Sequence, residues 1–266
     1  MRELKECVCD ANLALERHGL VVLTWGNVGM LTDDGDAFVI KPSGVSYDKM
    51  TPDDMVLVSL EGKVVEGRNR PSSDTPTYVE LFQYFRSRPD SAGLRGIVHT
   101  HSPAATAWAQ ARREIPCLGT THADHFFGPV PLARPLTKDE VESAYEQNTG
   151  RVIVERFESG NLNPVETPGV LASGHGPFVW GKDAHDAVKN AVALESIAQM
   201  ARDSCAIWSF SLLVANDSSD CADIFAIPSD TTPRQFFLED YVMKKHYQRK
   251  HGPKAYYGQK SPDEAK

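Results

Sequence analysis

The chain has 266 residues, 41% hydrophobic and 24% charged, a composition typical of a globular protein with one sizeable core. Its formal net charge of −8 and its pI of about 5.6 exclude the broad basic surface that attracts nucleic acids or anionic membranes. A small anionic substrate would therefore need a locally built site. We expect a single domain over residues 1–266, with two small domains as the alternative.

The cysteines and the first residues bear on the compartment. Five cysteines, an odd number without a CxxC pair, favour reduced thiols, and a metal pair of Cys7 and Cys9 is the alternative. Residues 1–20 carry charges throughout and lack the apolar stretch of a signal peptide, and no window approaches 18 apolar residues. We expect a cytoplasmic protein.

The first part of the chain predicts one helix followed by short strands. Apolar residues at helical spacing predict a helix over 3–18 that ends at Gly19. Alternating apolar runs that end in Gly- and Ser-rich turns predict strands at 21–31 and 37–44, then a hairpin over 55–67.

The middle of the chain predicts further strands. Residues 94–102 are predicted as a strand, followed by a helix that Ser102 can cap and in which Pro103 suits the first turn. The stretches "GRVIVERF" (150–157) and "GVLASGHGPFVWG" (169–181) are also predicted as strands.

The last part predicts helices around an irregular segment. Asp183 is the predicted cap of a long helix over 184–202, and a short helix is predicted over 238–250. Residues 203–237 have apolar runs without a clean period and fit an insertion or a mobile segment. Strands in the middle, with helices at both ends and in the connections, predict a three-layer α/β/α domain.

Three histidines are candidate metal ligands. His99 and His101 end a predicted strand, where residues i and i+2 face the same way and two imidazoles can share one ion. His175 lies between two glycines, which let the backbone approach a ligand closely. Taken alone, each of these histidines fits an ordinary core or turn position about as well.

An oxygen ligand and an anion site are also suggested. Asp74 can supply an oxygen, although an aspartate before a helix is usually a cap, and three nitrogens with one oxygen suit zinc or manganese. Short polar turns next to a lysine can hold an anion, although such residues are common in any turn. The candidates are Gly26, Asn27, Lys41, Ser43, Gly44, Ser72 and Ser73.

An ordered set of segments, read together, resembles the class II aldolase/epimerase family. The segments are "LTWGNV", "FVIKPSGV", "PSSDTPT", "GIVHTHS", "TTHADHFFG", "SGHGPFVWGK" and "KHYQRKHGPKAYYGQ". They cover nearly the whole chain apart from roughly 203–237. The resemblance implies an α/β fold with three layers around a central, mainly antiparallel sheet.

The resemblance also implies a metal site and an activity. The ligands would be His99, His101, His175 and Asp74, with zinc favoured and manganese or cobalt as alternatives. The implied activity is a metal-dependent epimerase that interconverts L-ribulose 5-phosphate and D-xylulose 5-phosphate by retro-aldol cleavage and re-formation of a C–C bond. An aspartate at 74 favours this activity, because the related sugar-phosphate aldolases have glutamate there.

Further roles follow from the same resemblance. Asp124 and Tyr257 match the two acid/base positions, His246 matches another active-site histidine, and the polar turns named above match the phosphate site. Family members form homotetramers with active sites between subunits. The chain departs from the pattern at Gly29, where serine is usual, and in a longer segment before His246.

Two alternatives to the epimerase stay open. One is a sugar-phosphate aldolase of the same fold, which Asp74, Asp124 and Tyr257 argue against. The other is an adducin-like binding domain without chemistry, which the intact histidines argue against.

Overall fold

The computed structural model describes residues 1–215, 237–253 and 255, without the side chains of 209–215. The strands are β1 (Asn27–Leu31), β2 (Ala37–Ile40), β3 (Val56–Ser59), β4 (Val64–Glu66), β5 (Gly96–His99), β6 (Leu132–Ala133), β7 (Gly169–Ala172) and β8 (Gly176–Gly181). The helices are α1 (Arg2–Arg17), α2 (Thr75–Arg86), α3 (Pro103–Gln110), α4 (Thr120–Ala123), α5 (Lys138–Ser159), α6 (Ala184–Ala215) and α7 (Asp240–His251), with 3₁₀ turns at Tyr47–Lys49 and Pro52–Asp54.

The eight strands form one sheet in the order β4-β3-β2-β1-β5-β8-β7-β6. Each neighbouring pair is antiparallel except β6 with β7. The expected central, mainly antiparallel sheet is therefore confirmed. Across the middle of the sheet, His99 pairs with Asn27 on one side and with Phe178 on the other.

Helices cover both faces of the sheet, which confirms the three-layer α/β/α architecture. One core joins Leu15 of α1 and Leu194 of α6 to Val98 of β5. The opposite core joins residues of α2 and α5, such as Phe82 and Phe157, to the other side of the sheet. Neighbouring strand residues alternate between the two cores because successive side chains on a strand point to opposite faces.

The prediction of a strand over 150–157 is wrong, because these residues lie inside α5. The Val-Ile-Val run is rich in β-branched residues, which favour strands when only short-range pattern is considered. In the structure, Val152, Ile153 and Phe157 form one buried helical face that packs in the same core as α2. Tertiary packing of an amphipathic face therefore overrides local propensity.

The other predicted elements are found with shifted ends. The first predicted strand begins only at Asn27, and Gly62 forms the hairpin turn with a φ of +79°. Asp183 caps α6, since its Oδ1 accepts the Asp186 amide at 2.8 Å, but the helix continues past 202 to Ala215. Residues 216–236 of the irregular segment lie outside the described residues. Within the described part of the chain, no helix has the length and apolar character needed to cross a bilayer.

The first turn of α3 is capped by a different residue from the one predicted. Ser102 occupies the N-cap position, but its side chain makes no capping hydrogen bond. The buried Glu195 of α6 accepts the amides of Ala104 at 2.8 Å and Ala105 at 2.9 Å. A carboxylate from a neighbouring helix thus satisfies the free amides and complements the positive end of α3.

We predict that Glu195→Ala lowers the free energy of unfolding by about 2–4 kcal/mol, because two buried amides lose a charged acceptor. Urea unfolding followed by circular dichroism measures this change. Ser102→Ala is the matched control and should cost about 1 kcal/mol or less, since this buried hydroxyl caps no amide of the helix. Equal losses in both variants would contradict the assignment of the cap.

Candidate active site

The predicted metal ligands and anion-binding turns collect at one end of the central strands, where β5 ends and where β1 and β8 begin. The pairing of Asn27 with His99 and of His99 with Phe178 brings these strand ends side by side. His101 follows β5 by two residues, and His175 lies in the turn before β8. All three histidines line one cavity of about 370 Å³.

The three imidazoles face one another. The Nε2 atoms of His99 and His101 are 3.2 Å apart, and the ring of His175 lies 4.7 Å from that of His99 and 5.0 Å from that of His101. One ligand atom of each ring lies within 4.8 Å of the other two. His99 is buried, His175 is half-buried and His101 is exposed, so the cluster opens to the cavity.

The protonation of these rings suits metal binding. His99 Nδ1 lies 3.0 Å from the carbonyl oxygen of Pro177. Because a carbonyl only accepts, Nδ1 carries a proton, so the neutral form of this ring has its lone pair on Nε2. Loss of hydration and the two neighbouring imidazoles lower the pKa of His175 to about 3, so this ring is neutral at pH 7.

The donor set fits a borderline divalent ion. Two nitrogen ligands of a tetrahedral zinc ion lie about 3.3 Å apart, given Zn–N bonds of about 2.0–2.1 Å, and the two Nε2 atoms are already 3.2 Å apart. Imidazole nitrogens suit zinc and similar late transition metals better than calcium or magnesium. The residues present therefore fit the metal that the family resemblance implies.

Asp74 lines the same cavity but is not one of the clustered ligands in the described residues. It occupies the N-cap position of α2 without a side-chain capping bond. Its Oδ2 instead accepts from Asn27 Nδ2 at 2.6 Å and from Ser72 Oγ at 3.4 Å. Its role as a metal ligand stays a prediction.

The predicted anion-binding turns line this cavity as well: Gly26, Asn27, Lys41, Ser43, Gly44, Ser72 and Ser73. Backbone bonds hold two of the turns together, from Ser43 N to Arg70 O at 2.9 Å and from Ser72 N to Lys41 O at 3.0 Å. Gly26 has a φ of +78°, and a Cβ there would lie 2.9 Å from the His99 carbonyl oxygen. Only glycine therefore lets this turn reach the metal cluster.

Lys41 is the basic residue of the cavity wall among the described residues. Its side chain is buried, and burial lowers the pKa of its ammonium group. Its Nζ lies 3.4 Å from the carbonyl oxygens of Thr24 and Pro42 and 4.9 Å from the ring centre of Tyr47. An ammonium group has three donors, so one is left for an anion in the cavity.

Five cavity residues were missed by the sequence reasoning: Thr24, Trp25, Pro42, Tyr145 and Glu146. Tyr145 and Glu146 reach the cavity because α5 is broken at Ala144, where φ is −157° and ψ is 74°. Asn148 Nδ2 donates to the Glu140 carbonyl at 2.9 Å on the other side of the break. No sequence signal marks this break, and the prediction of a strand nearby concealed it.

Asp124 and His246 are close to each other, but they line a region apart from the three histidines. His246 Nδ1 lies 3.2 Å from Asp124 Oδ1. Asp124 lines a second cavity, of about 770 Å³, whose walls also include Arg95 and Lys182 at the opposite end of β5 and β8. Tyr257 lies outside the described residues. Within the described residues, the single chain therefore does not bring Asp124 to the three histidines.

Comparisons with known proteins support the family assignment. The family described as Class II Aldolase and Adducin N-terminal domain matches residues 6–202. A Salmonella paratyphi B protein named L-ribulose-5-phosphate 4-epimerase UlaF is 50% identical over 260 residues, which covers 98% of this chain and all of the relative. A protein of the same name from Salmonella typhi has the same identity and coverage.

Solved structures share the fold at low identity. An L-fuculose 1-phosphate aldolase has a TM-score of 0.65 at 20% identity and covers 93% of this chain and 95% of its own. The L-fuculose-1-phosphate aldolase of Thermus thermophilus has a TM-score of 0.58 at 22% identity, over 82% of this chain and 100% of its own. With the domain match and the full-length relatives, these findings show that the chain belongs to the class II aldolase/epimerase family.

Proposed function

We propose that this protein is a metal-dependent epimerase that interconverts L-ribulose 5-phosphate and D-xylulose 5-phosphate. It would act in the cytoplasm as a homotetramer with active sites between subunits. The observation that supports this proposal most strongly is one cavity that is lined by three convergent imidazoles, polar turns and a buried lysine. Full-length relatives at 50% identity that are named L-ribulose-5-phosphate 4-epimerase support the choice of substrate.

The chemistry of the substrate explains why such a site is needed. The stereocentre that changes is C4, whose hydrogen is not next to the C2 carbonyl and is therefore not acidic. The C4 hydroxyl is, however, β to that carbonyl, so loss of its proton allows the C3–C4 bond to break in a retro-aldol step. Rotation of the aldehyde half and re-formation of the bond on its other face inverts C4.

His99, His101 and His175 would hold the metal, and zinc is the ion that their neutral imidazoles favour. A divalent ion here would supply a Lewis acid for the negative charge that develops on the C2 oxygen of the substrate. The chain contributes fixed lone pairs, because the Pro177 carbonyl sets the tautomer of His99 and the stacked Phe178 ring, 4.1 Å away, sets its plane. Asp74 is a further candidate ligand that the same cavity wall supplies.

The phosphate end of the substrate would occupy the polar turns. Ser43, Ser72 and Ser73 offer hydroxyls, and the Gly26-Asn27 and Ser43-Gly44 turns offer little steric bulk. Lys41 adds a positive charge that the backbone carbonyls of Thr24 and Pro42 hold in place. A charge-assisted contact of this kind is stronger than a neutral hydrogen bond.

Proton transfer at the C4 oxygen needs one group on each face of the aldehyde. Asp124 and Tyr257 are our candidates, with His246 beside Asp124. Because Asp124 lines a different cavity from the histidines of its own chain, a second subunit would have to bring it to the metal cluster. This separation supports a site built between subunits.

We predict that metal-loaded protein converts L-ribulose 5-phosphate into D-xylulose 5-phosphate and that removing the metal with a chelator stops the conversion. A coupled assay for D-xylulose 5-phosphate, with a chelated sample and a zinc-restored sample, measures this outcome. Release of glycolaldehyde phosphate without the epimer would indicate an aldolase instead. Bound metal with neither product would reject the proposed reaction.

We also predict that Lys41→Met raises the KM for L-ribulose 5-phosphate by roughly 10- to 10²-fold, because the phosphate loses a charge-assisted contact. Bound zinc should stay at the wild-type level, since Lys41 is not among the clustered ligands. Lys49→Met, at an exposed position, is the matched control and should leave KM unchanged. A wild-type KM for Lys41→Met would remove this residue from the phosphate site.

A further inference from the structure

Four polar side chains of α7 contact Asp124. Arg249 donates from Nε to Oδ1 at 3.0 Å and from Nη2 to Oδ2 at 2.7 Å, so the guanidinium and carboxylate form a two-point pair. His246 Nδ1 lies 3.2 Å from Oδ1, and Lys250 Nζ lies 3.5 Å from Oδ2. His251 Nε2 reaches the backbone oxygen of Asp124 at 2.9 Å.

The two carboxylate oxygens are not equally occupied. An ionised carboxylate has about four lone-pair sites, two on each oxygen. Oδ1 uses one for Arg249 and one for His246, whereas the close contact of Oδ2 among the described residues is with Arg249. Lys250 is too distant for a strong bond, so one lone pair of Oδ2 is the least occupied. Asp124 also lines a cavity, which gives a ligand access to it.

We propose that Arg249 is a positioning residue for the reaction. Its planar guanidinium group fixes the plane of the Asp124 carboxylate and leaves one Oδ2 lone pair for the substrate hydroxyl. This inference rests on the proposed function, because it assumes that Asp124 exchanges a proton with the C4 oxygen of the substrate. Arginine suits the task better than lysine, since its planar fork binds both oxygens at once whereas an ammonium group acts as a point charge.

The surrounding charges support an ionised Asp124. Burial alone would raise the pKa of this carboxyl, but hydrogen bonds from Arg249 and His246 and the charge of Lys250 together lower it. The charged and titratable groups that face Asp124 are His246, Arg249, Lys250 and His251 from α7, His125 from its own turn, and Asp90, Arg95, Lys182, Asp186 and Lys189 around the cavity. Removing Arg249 should therefore raise the pKa of Asp124.

The test compares Arg249→Gln, Arg249→Lys, Asp124→Asn and the Arg249→Gln/Asp124→Asn double variant as zinc-loaded protein. We expect Arg249→Gln to lower kcat by roughly 10- to 10²-fold at an unchanged KM, because the carboxylate is no longer held in its working orientation. Arg249→Lys should recover only part of this loss. In the Asp124→Asn background, Arg249→Gln should cause no further loss, since residues that act as a unit are not additive.

The pH profile separates positioning from a structural role. Asp124 accepts a proton only above its pKa, and removal of Arg249 raises that pKa. Arg249→Gln should therefore move the acidic limb of the kcat–pH profile to higher pH. Zinc content is checked at each pH. Arg202→Gln, which removes an exposed partner of Asp203, is the matched control and should leave kcat and the limb unchanged.

Three results would overturn the proposal. Wild-type kcat in Arg249→Gln would remove the residue from the reaction, and so would losses that multiply in the double variant. A fall in kcat that follows a lower melting temperature or lost assembly, with the acidic limb in place, would make Arg249 merely structural. The wild-type assay keeps the two claims distinct: no epimerisation by the wild type rejects the proposed function and this role with it, whereas an active wild type with an unaffected variant rejects this role alone.

Discussion

The hydrogen bond from His99 Nδ1 to the Pro177 carbonyl is the contact on which the rest of the site depends. It crosses from β5 to β8 at the end of these central strands and fixes the Nδ1 proton and the orientation of the His99 ring. The stacked ring of Phe178 prevents the imidazole from turning. Because this buried ring presents Nε2 towards His101, the three imidazoles converge in one cluster.

The sheet supplies this contact through its register. The pairing that sets His99 against Phe178 also sets it against Asn27, whose amide holds Asp74 at the start of α2. A slip of one residue would point the His99 side chain to the opposite face of the sheet and break both connections. The histidine cluster and the wall of polar turns are therefore positioned by the same row of residues across three strands.

Charge explains how an acidic protein can bind an anionic sugar phosphate. The net charge of −8 gives no general attraction, so binding depends on local groups. Lys41 is buried among backbone carbonyls beside the ring of Tyr47, where its charge is little screened by water. In the second region, Arg249 and Lys250 surround the single carboxylate of Asp124. Each region thus carries the charge that its part of the proposed reaction needs.

Much of the site could be predicted from the sequence because its residues stand in short, local motifs. His99 and His101 belong to one strand end, and Asp74 follows Ser72 and Ser73 directly, so neighbouring residues in the chain remain neighbours in the cavity. The three layers follow from the pattern of predicted elements, and the mainly antiparallel sheet follows from the family resemblance, whereas the strand order was not predicted.

What could not be predicted depends on contacts between distant segments. The run at 150–157 has the composition of a strand and becomes helical only through packing against α2. Ser102 has the right type and position for a cap, but Glu195 is 93 residues away in the chain and supplies the bond instead. The pairing of Asp124 with Arg249, across 125 positions, has no local signal either.

The most direct test of the account is the position of a metal ion in crystals of the zinc-loaded protein. Anomalous scattering at the zinc edge should show one peak bonded to His99, His101 and His175. His175→Asn should lose that peak and most of the bound zinc, whereas His185→Asn, on the surface of α6, should keep both. A stoichiometric zinc ion elsewhere, or full binding by His175→Asn, would contradict the claim that these imidazoles form the catalytic metal site.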